Sequence, residues 1–233
     1  MGKKQQQREI RKQKQAEAGR KATTKRYVWM GLAALVALVL LVTIIRYFTA
    51  ASPPTVTEVT AGDRIKGNPD AALTLVKFSD FQCPACRAQH NSIKQIWPAI
   101  KGSVRFVYRH FPLTNIHPHA VQAARYSEAA GKQGKFWELH DLFFERQRQW
   151  TSSKDITPVF DGYAKELGLD VARLKADADS QEVRNKVALD AQSARSARAA
   201  STPTLFLNGK LLRNVRDANN LRTAIKDALK SGG

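Results

Sequence analysis

The sequence predicts an α/β fold with an inserted helical domain, preceded by one N-terminal transmembrane helix. Three observations carry that expectation. Strand patterns flank a helical one that begins at a Cys-x-x-Cys, a long block of helical spacing then separates these strands from a hairpin, and an uncharged apolar run occupies residues 28–45.

The 233 residues suffice for one good-sized domain plus extra pieces. The net charge of +18 is uneven: residues 1–50 hold eleven Lys and Arg against two Glu, so half the excess lies in about a fifth of the chain. That asymmetry marks a basic tail, residues 1–26, with too little apolar content to build a core. The tail has no interleaved aromatics, so anionic lipid headgroups or topology-setting explain it better than nucleic acid.

Val28 to Ile45 then runs for eighteen residues without a charge, and Tyr27, Tyr47 and Phe48 flank it. With these flanks it matches the ~20 residues that cross a bilayer. Residues 27–48 are therefore read as a single-pass span of the cytoplasmic membrane. The basic side stays cytoplasmic and the rest of the chain lies in the periplasm or its equivalent. A cleaved signal peptide is the alternative, with Thr49-Ala50-Ala51 at the cut, but the long basic region and long apolar run speak against it.

A linker, residues 49–55, contains Pro53-Pro54. Thr55 to Thr60 alternates β-branched residues and is expected as an outer strand, and Asp63 to Asp70 as turns. Ala72 to Phe78 reads as a buried strand. Pro84 to Trp97 reads as a helix broken or bent at Pro98, and Ser103 to Arg109 as a second strand, parallel to the first. Helices are expected at 119–130, 135–150, 157–167, 171–179 and 183–200. An Asn208-Gly209 hairpin then joins the strand before it to Leu211–Val215, and a closing helix spans 217–230.

Cys83 and Cys86 are the only cysteines, three apart, in Phe78-Ser79-Asp80-Phe81-Gln82-Cys83-Pro84-Ala85-Cys86. One such pair cannot staple a domain, so redox or metal chemistry is the reading. At a helix start, free N–H groups and the helix dipole stabilise a thiolate. Pro84 fits the first helical position, which needs no N–H donor.

This segment, together with Tyr108-Arg109-His110-Phe111-Pro112-Leu113 and Ser201-Thr202-Pro203-Thr204-Leu205-Phe206-Leu207-Asn208-Gly209, resembles the DsbA-like thiol:disulfide oxidoreductases of the thioredoxin superfamily. The resemblance covers about residues 56–230. It implies a thioredoxin-like fold at 56–112 and 201–233 with the helical insertion at 113–200. It implies that Cys83 is the attacking thiolate, that Cys86 is its partner, and that Thr202-Pro203 is a cis bond presenting backbone groups to a substrate peptide. Pro84 and Ala85 tune the pair. The expected activity is oxidation of substrate protein thiols; the alternatives are reduction or isomerisation of disulfides on the same fold, or a non-catalytic or metal-binding module. No cofactor beyond the redox-active pair is implied, since no cofactor-binding motif is present. Electrons must therefore leave through another protein, a membrane redox partner.

Members of the superfamily often carry a buried acid six residues before the first cysteine, and here that position is Lys77. Pointing inward, Lys77 would favour the thiolate but at a cost of burial. Facing solvent, it would leave Asp80 as the acid nearer the site. Cys83, Cys86 and His90 also spell three ligands of a zinc or copper site. No second cysteine pair supplies a fourth ligand, so no metal is expected and His90 is placed on the exposed side of its helix. His110, His117, His119 and His140 are read as capping helices or lining loops. Trp137, Trp150 and Phe136, Phe143 and Phe144 are read as core.

Overall fold

The structure is a computed structural model that describes Gly2 and residues 29–45, 54–215 and 217–231. The chain divides into two units, Met1–Ser52 and Pro53–Gly233. In the first, residues 29–45 form a helix, α1, whose side chains are exposed along its length. Among the described residues no helix is long and apolar enough to cross a membrane. Residues 3–28 and 46–53, which include most of the basic tail, both ends of the expected span and most of the linker, lie outside the described residues.

The second unit is a five-stranded sheet in the order β1-β3-β2-β4-β5, with helices on both faces. Its strands are β1 (Arg64–Gly67), β2 (Leu73–Ser79), β3 (Val104–His110), β4 (Thr204–Leu207) and β5 (Lys210–Leu211). β2 and β3 are parallel, joined by α2 (Pro84–Ile100), and every other pairing is antiparallel. All seven residues of β2 are buried, as a central strand covered on both faces requires. Leu73 and Leu75 face one core, Val76 and Phe78 the other. The same two-residue period sends Lys77 to the Leu75 side, buried in the sheet's interior.

The insertion comprises α3 (Ala120–Lys132), α4 (Phe136–Glu145), α5 (Gln147–Trp150), α6 (Thr157–Glu166), α7 (Val171–Ala178) and α8 (Gln181–Ser196), and α9 (Ala218–Lys230) closes the chain. Phe136, Phe143, Phe144, Trp150 and Phe160 pack with Phe81, Tyr108 and α2 in one large core. α8 instead places Ala191 and Ala194 against Val76, Val107 and Phe206 on the opposite face of the sheet.

Four local expectations need correction. Residues 55–60 are not a strand; Arg109, fully buried, holds them through the Thr55 and Glu58 carbonyls while forking onto Asp63 at 2.9 and 2.8 Å. The strand lies instead at 64–67, and Gly67 ends it at φ +92°, where a Cβ would come within 2.5 Å of the Val104 carbonyl oxygen. α2 passes through Pro98 to Ile100, since Pro98 is exposed and water can reach the carbonyl group it leaves unbonded. The expected 135–150 helix breaks at Arg146, which forks onto Glu166 at 2.6 and 2.7 Å. The Asn208-Gly209 turn has positive φ at both residues, +46° and +78°, the twist a two-residue hairpin needs. The returning strand covers only Lys210–Leu211.

Candidate functional site: a dithiol at the start of α2

Cys83 is the N-cap of α2, extended at φ −73° and ψ 122°, and Pro84 begins the helix. The sulfur of Cys83 thus lies at the end of the helix where amide N–H groups have no helical acceptor. Both cysteines are free thiols. Cys86 is fully buried and Cys83 is 7% exposed.

The two thiols differ in acidity because their surroundings differ. A hydrogen bond from Cys86 is the largest influence holding the Cys83 thiol down, to about 5; the Thr202 side chain and the Cys86 and Ala85 amides add to it, and partial burial opposes them. Burial pushes Cys86 well up, its bond to Cys83 pushes further, and the charge of Lys77 opposes the rise. Cys83 is therefore the thiolate and nucleophile of the pair, and Cys86 holds its proton.

The Cys83 sulfur lies 3.5 Å from the Thr202 carbonyl oxygen, across a cis Thr202-Pro203 peptide. The Thr202 hydroxyl is buried beside the sulfur with no other partner among the described residues. The carbonyl suits a thiol, which donates; once Cys83 ionises, the hydroxyl is the group of Thr202 that can donate to it. Beside these residues runs a groove of about 400 Å³, lined by Ala85 and Gln89 of α2 and by Thr202, Pro203, Leu211 and Leu212.

Lys77 points inward and is 1% exposed, its Nζ 3.4 Å from the Cys86 carbonyl oxygen and 4.9 Å from the Phe144 ring centroid. Burial lowers its pKa to about 8, and the charges of Cys86, Cys83 and Asp141 limit the fall. Asp80 is buried too, but its carboxylate is occupied by other donors. It accepts from the Gln82 and Leu113 amides at 2.7 and 2.8 Å and from His117 Nδ1 at 2.7 Å. The Asp80 amide, not its carboxylate, donates to the Cys86 sulfur at 3.4 Å. Asp80 therefore shapes the loop under the dithiol rather than supplying an acid to it.

Three further residues carry no local signal in the sequence. Gln147 donates to the carbonyls of Phe81 and Cys83 at 2.7 and 2.9 Å, locking the loop to the insertion, and the break at Arg146 sets the turn that aims it. His140, expected to cap a helix or line a loop, is instead buried in the middle of α4, and it and Asp141 lie near Lys77 of β2. His90, expected outside, is buried because its face of α2 meets α4, and it stacks on Phe144 at 5.0 Å. It joins His140 and Asp141, not the cysteines, in a group whose ligand atoms lie within 4.8 Å of one another. Of the other histidines, His110 bonds to Glu128 at 2.9 Å inside the core and His119 bonds to the Ser153 carbonyl at 2.8 Å.

A cysteine pair at a helix start, beside a cis X-Pro peptide on this sheet, defines a thioredoxin-fold oxidoreductase. The chain belongs to the thioredoxin family, whose model, described as Thioredoxin, matches residues 59–227. It is 41% identical over 180 residues to a Na(+)/H(+) antiporter NhaA of Herminiimonas arsenicoxydans, covering 77% of this chain and 27% of the antiporter. It is 38% identical over 168 residues to NhaA 1 of Mycolicibacterium gilvum, covering 70% and 26%. The chain thus spans about a quarter of the length of these curated relatives. Among solved structures, a thioredoxin-like oxidoreductase from Silicibacter pomeroyi matches with TM-score 0.63 and 27% identity, over 73% of this chain and 94% of that one. Oxidised BdbD from Bacillus subtilis matches with TM-score 0.64 and 24% identity, over 77% and 100%. The thiol-disulfide exchange protein alpha-DsbA2 from Wolbachia pipientis shares the fold, with TM-score 0.63 and 19% identity over 72% and 88%.

Proposed function

We propose that the protein oxidises thiols of substrate proteins to disulfides through Cys83 and Cys86, outside the cytoplasm, on a domain tethered by residues 27–48. The observation that carries this reading is the placement of the two thiols, Cys83 at the N-terminus of α2 beside Thr202-Pro203 and Cys86 fully buried one turn in, which makes Cys83 the more acidic. A stabilised Cys83 thiolate stabilises the reduced pair, and a pair stable when reduced is oxidising when it is a disulfide.

The steps follow from that asymmetry. A substrate thiolate attacks the Cys83 sulfur of the oxidised pair, the Cys83–Cys86 bond breaks, and its electron pair goes to Cys86, which takes a proton. Cys86 alone is a poor leaving group, and the Lys77 charge beside it offsets part of that handicap. A second substrate thiolate then attacks the substrate sulfur of the mixed disulfide and expels Cys83, a good leaving group because of its low pKa. Substrate loses two electrons and the protein gains them. The groove at Thr202-Pro203 holds the substrate peptide, with backbone groups beside the sulfur.

A membrane redox partner re-oxidises the pair, and no cofactor beyond the dithiol takes part. The basic tail and the apolar run support a cytoplasmic N-terminus by the positive-inside rule, with lipid rather than nucleic acid as the tail's contact. An oxidising compartment is also where a dithiol can persist as a disulfide.

The test is oxidation of a reduced, unfolded protein by the oxidised full chain. Wild type forms disulfides in the substrate, whereas Cys83→Ala and Cys86→Ser, neither of which can form the Cys83–Cys86 disulfide, form none. Full activity in Cys83→Ala sinks every version of this chemistry.

A further inference from the structure

A second cavity, of about 320 Å³, shares no lining residue with the Thr202-Pro203 groove and reaches Lys77. Its apolar wall is Ile93, Trp97, Phe106 and Trp137, and its polar wall includes Lys66, Lys77, His90 and Asp141. This is the size at which protein cavities begin to hold small organic molecules.

The charges around it do not cancel. Lys66 lies 3.5 Å from Asp141, and Lys94 lies 2.5 Å from Glu145. His90 and His140 are held neutral, at about 3 and about 4, chiefly by burial. Asp141 is also committed to His140, whose Nδ1 lies 2.7 Å away. Lys77 is left over. Among the described residues its only hydrogen bond is the 3.4 Å contact to the Cys86 carbonyl, and no carboxylate lies within ion-pair distance. An ammonium so deeply buried, with no carboxylate at contact distance and facing a cavity, is an energetic liability that an anion would relieve.

His90, His140 and Asp141 could in principle hold a metal ion. Lys66 and Lys77 line the same cavity, and a metal cation would meet their charges there. The aromatic wall adds a preference for a flat apolar body. Lys66 itself lies 5.7 and 5.3 Å from the Trp97 and Trp137 rings, a third exposed, at the cavity's outer end.

We propose that this cavity is a binding site for a small aromatic anion, a carboxylate or sulfonate whose charge pairs with Lys77 while its ring packs on Trp97, Phe106 and Trp137. The site is separate from the substrate groove and does not depend on the direction of electron flow.

Benzoate and its uncharged analogue benzamide are the probes, titrated calorimetrically into the full chain in detergent. Benzoate binds one to one, and benzamide binds at least tenfold more weakly. Lys77→Met weakens benzoate at least tenfold and leaves benzamide unchanged, whereas Lys94→Met, whose ammonium is already taken by Glu145, changes benzoate less than threefold. Equal binding of the two probes, no saturable binding, or undiminished benzoate binding by Lys77→Met overturns the proposal. So does zinc binding that excludes benzoate and is lost in His140→Ala, which assigns the cavity to a metal. If Lys77→Met does not fold, the comparison of the two probes on wild type still decides.

Discussion

The Lys77 ammonium lies 3.4 Å from the Cys86 carbonyl oxygen, enclosed on the buried side of the dithiol. A lysine there does two opposed things. It favours the thiolates, and it costs the folded state the desolvation of a charge.

The cost has a pH signature. Lys77 falls from 10.5 to about 8 on folding, so the unfolded chain binds that proton more tightly. The penalty is therefore full below pH 8, on the order of 3 kcal/mol, and is relieved as pH rises from about 8 to 10.5. Lys77→Met is expected to be more stable than wild type in urea unfolding of the reduced protein at pH 7, with the gap shrinking towards pH 10. A Lys77→Met protein that is less stable at pH 7 would mean that the charge is compensated.

Thr202 is expected to set part of the Cys83 acidity. Thr202→Val keeps the shape and the backbone carbonyl but removes the hydroxyl that can donate to the thiolate. Losing a charge-assisted hydrogen bond of about 1.5 kcal/mol raises the Cys83 pKa by about one. The pH profile of Cys83 alkylation measures it, and an unchanged midpoint removes the hydroxyl from the account.

The buried fork between Arg109 and Asp63 ties residues 55–63 to the sheet. Arg109→Met leaves Asp63 charged and buried with, among the described residues, only Lys186, 3.7 Å away, as a cation. The expected loss is about 3–5 kcal/mol in chemical denaturation.

The elements most legible in the sequence were those whose pattern answers to a single local cause. β2 and β3 follow from their apolar and alternating runs, the hairpin from Asn208-Gly209, and the dithiol from its place before Pro84. The misses came from tertiary partners. Thr55 to Thr60 has strand-like residues, but its carbonyls are taken by Arg109, fifty residues away in sequence, while the charged strand 64–67 is made acceptable by Glu128 and Asp141 beside Arg64 and Lys66. Whether Lys77 and His90 face in or out depends on α4, which local periodicity cannot place. Gln147 reaches the active loop only because the helix breaks one residue earlier.

Glu128 provides an acid-side test. Burial pushes it up, but bonds and charge from His110 and Arg64 hold it down to about 2. The folded pKa is depressed, so the stability it contributes is present above about 4.5 and is lost as pH falls through about 2. Glu128→Gln should be less stable than wild type at pH 7 and should lose less of its stability between pH 5 and pH 2. A parallel loss in both proteins would show that Glu128 does not drive acid unfolding.

The most direct measurement of the central claim is the reduction potential of the Cys83–Cys86 pair, obtained by equilibrating the protein with glutathione buffers. A thiolate held at about 5 predicts a value nearer the roughly −120 mV of a strong dithiol oxidant than the roughly −270 mV of thioredoxin. A value at the thioredoxin end would contradict the account and make the protein a reductant.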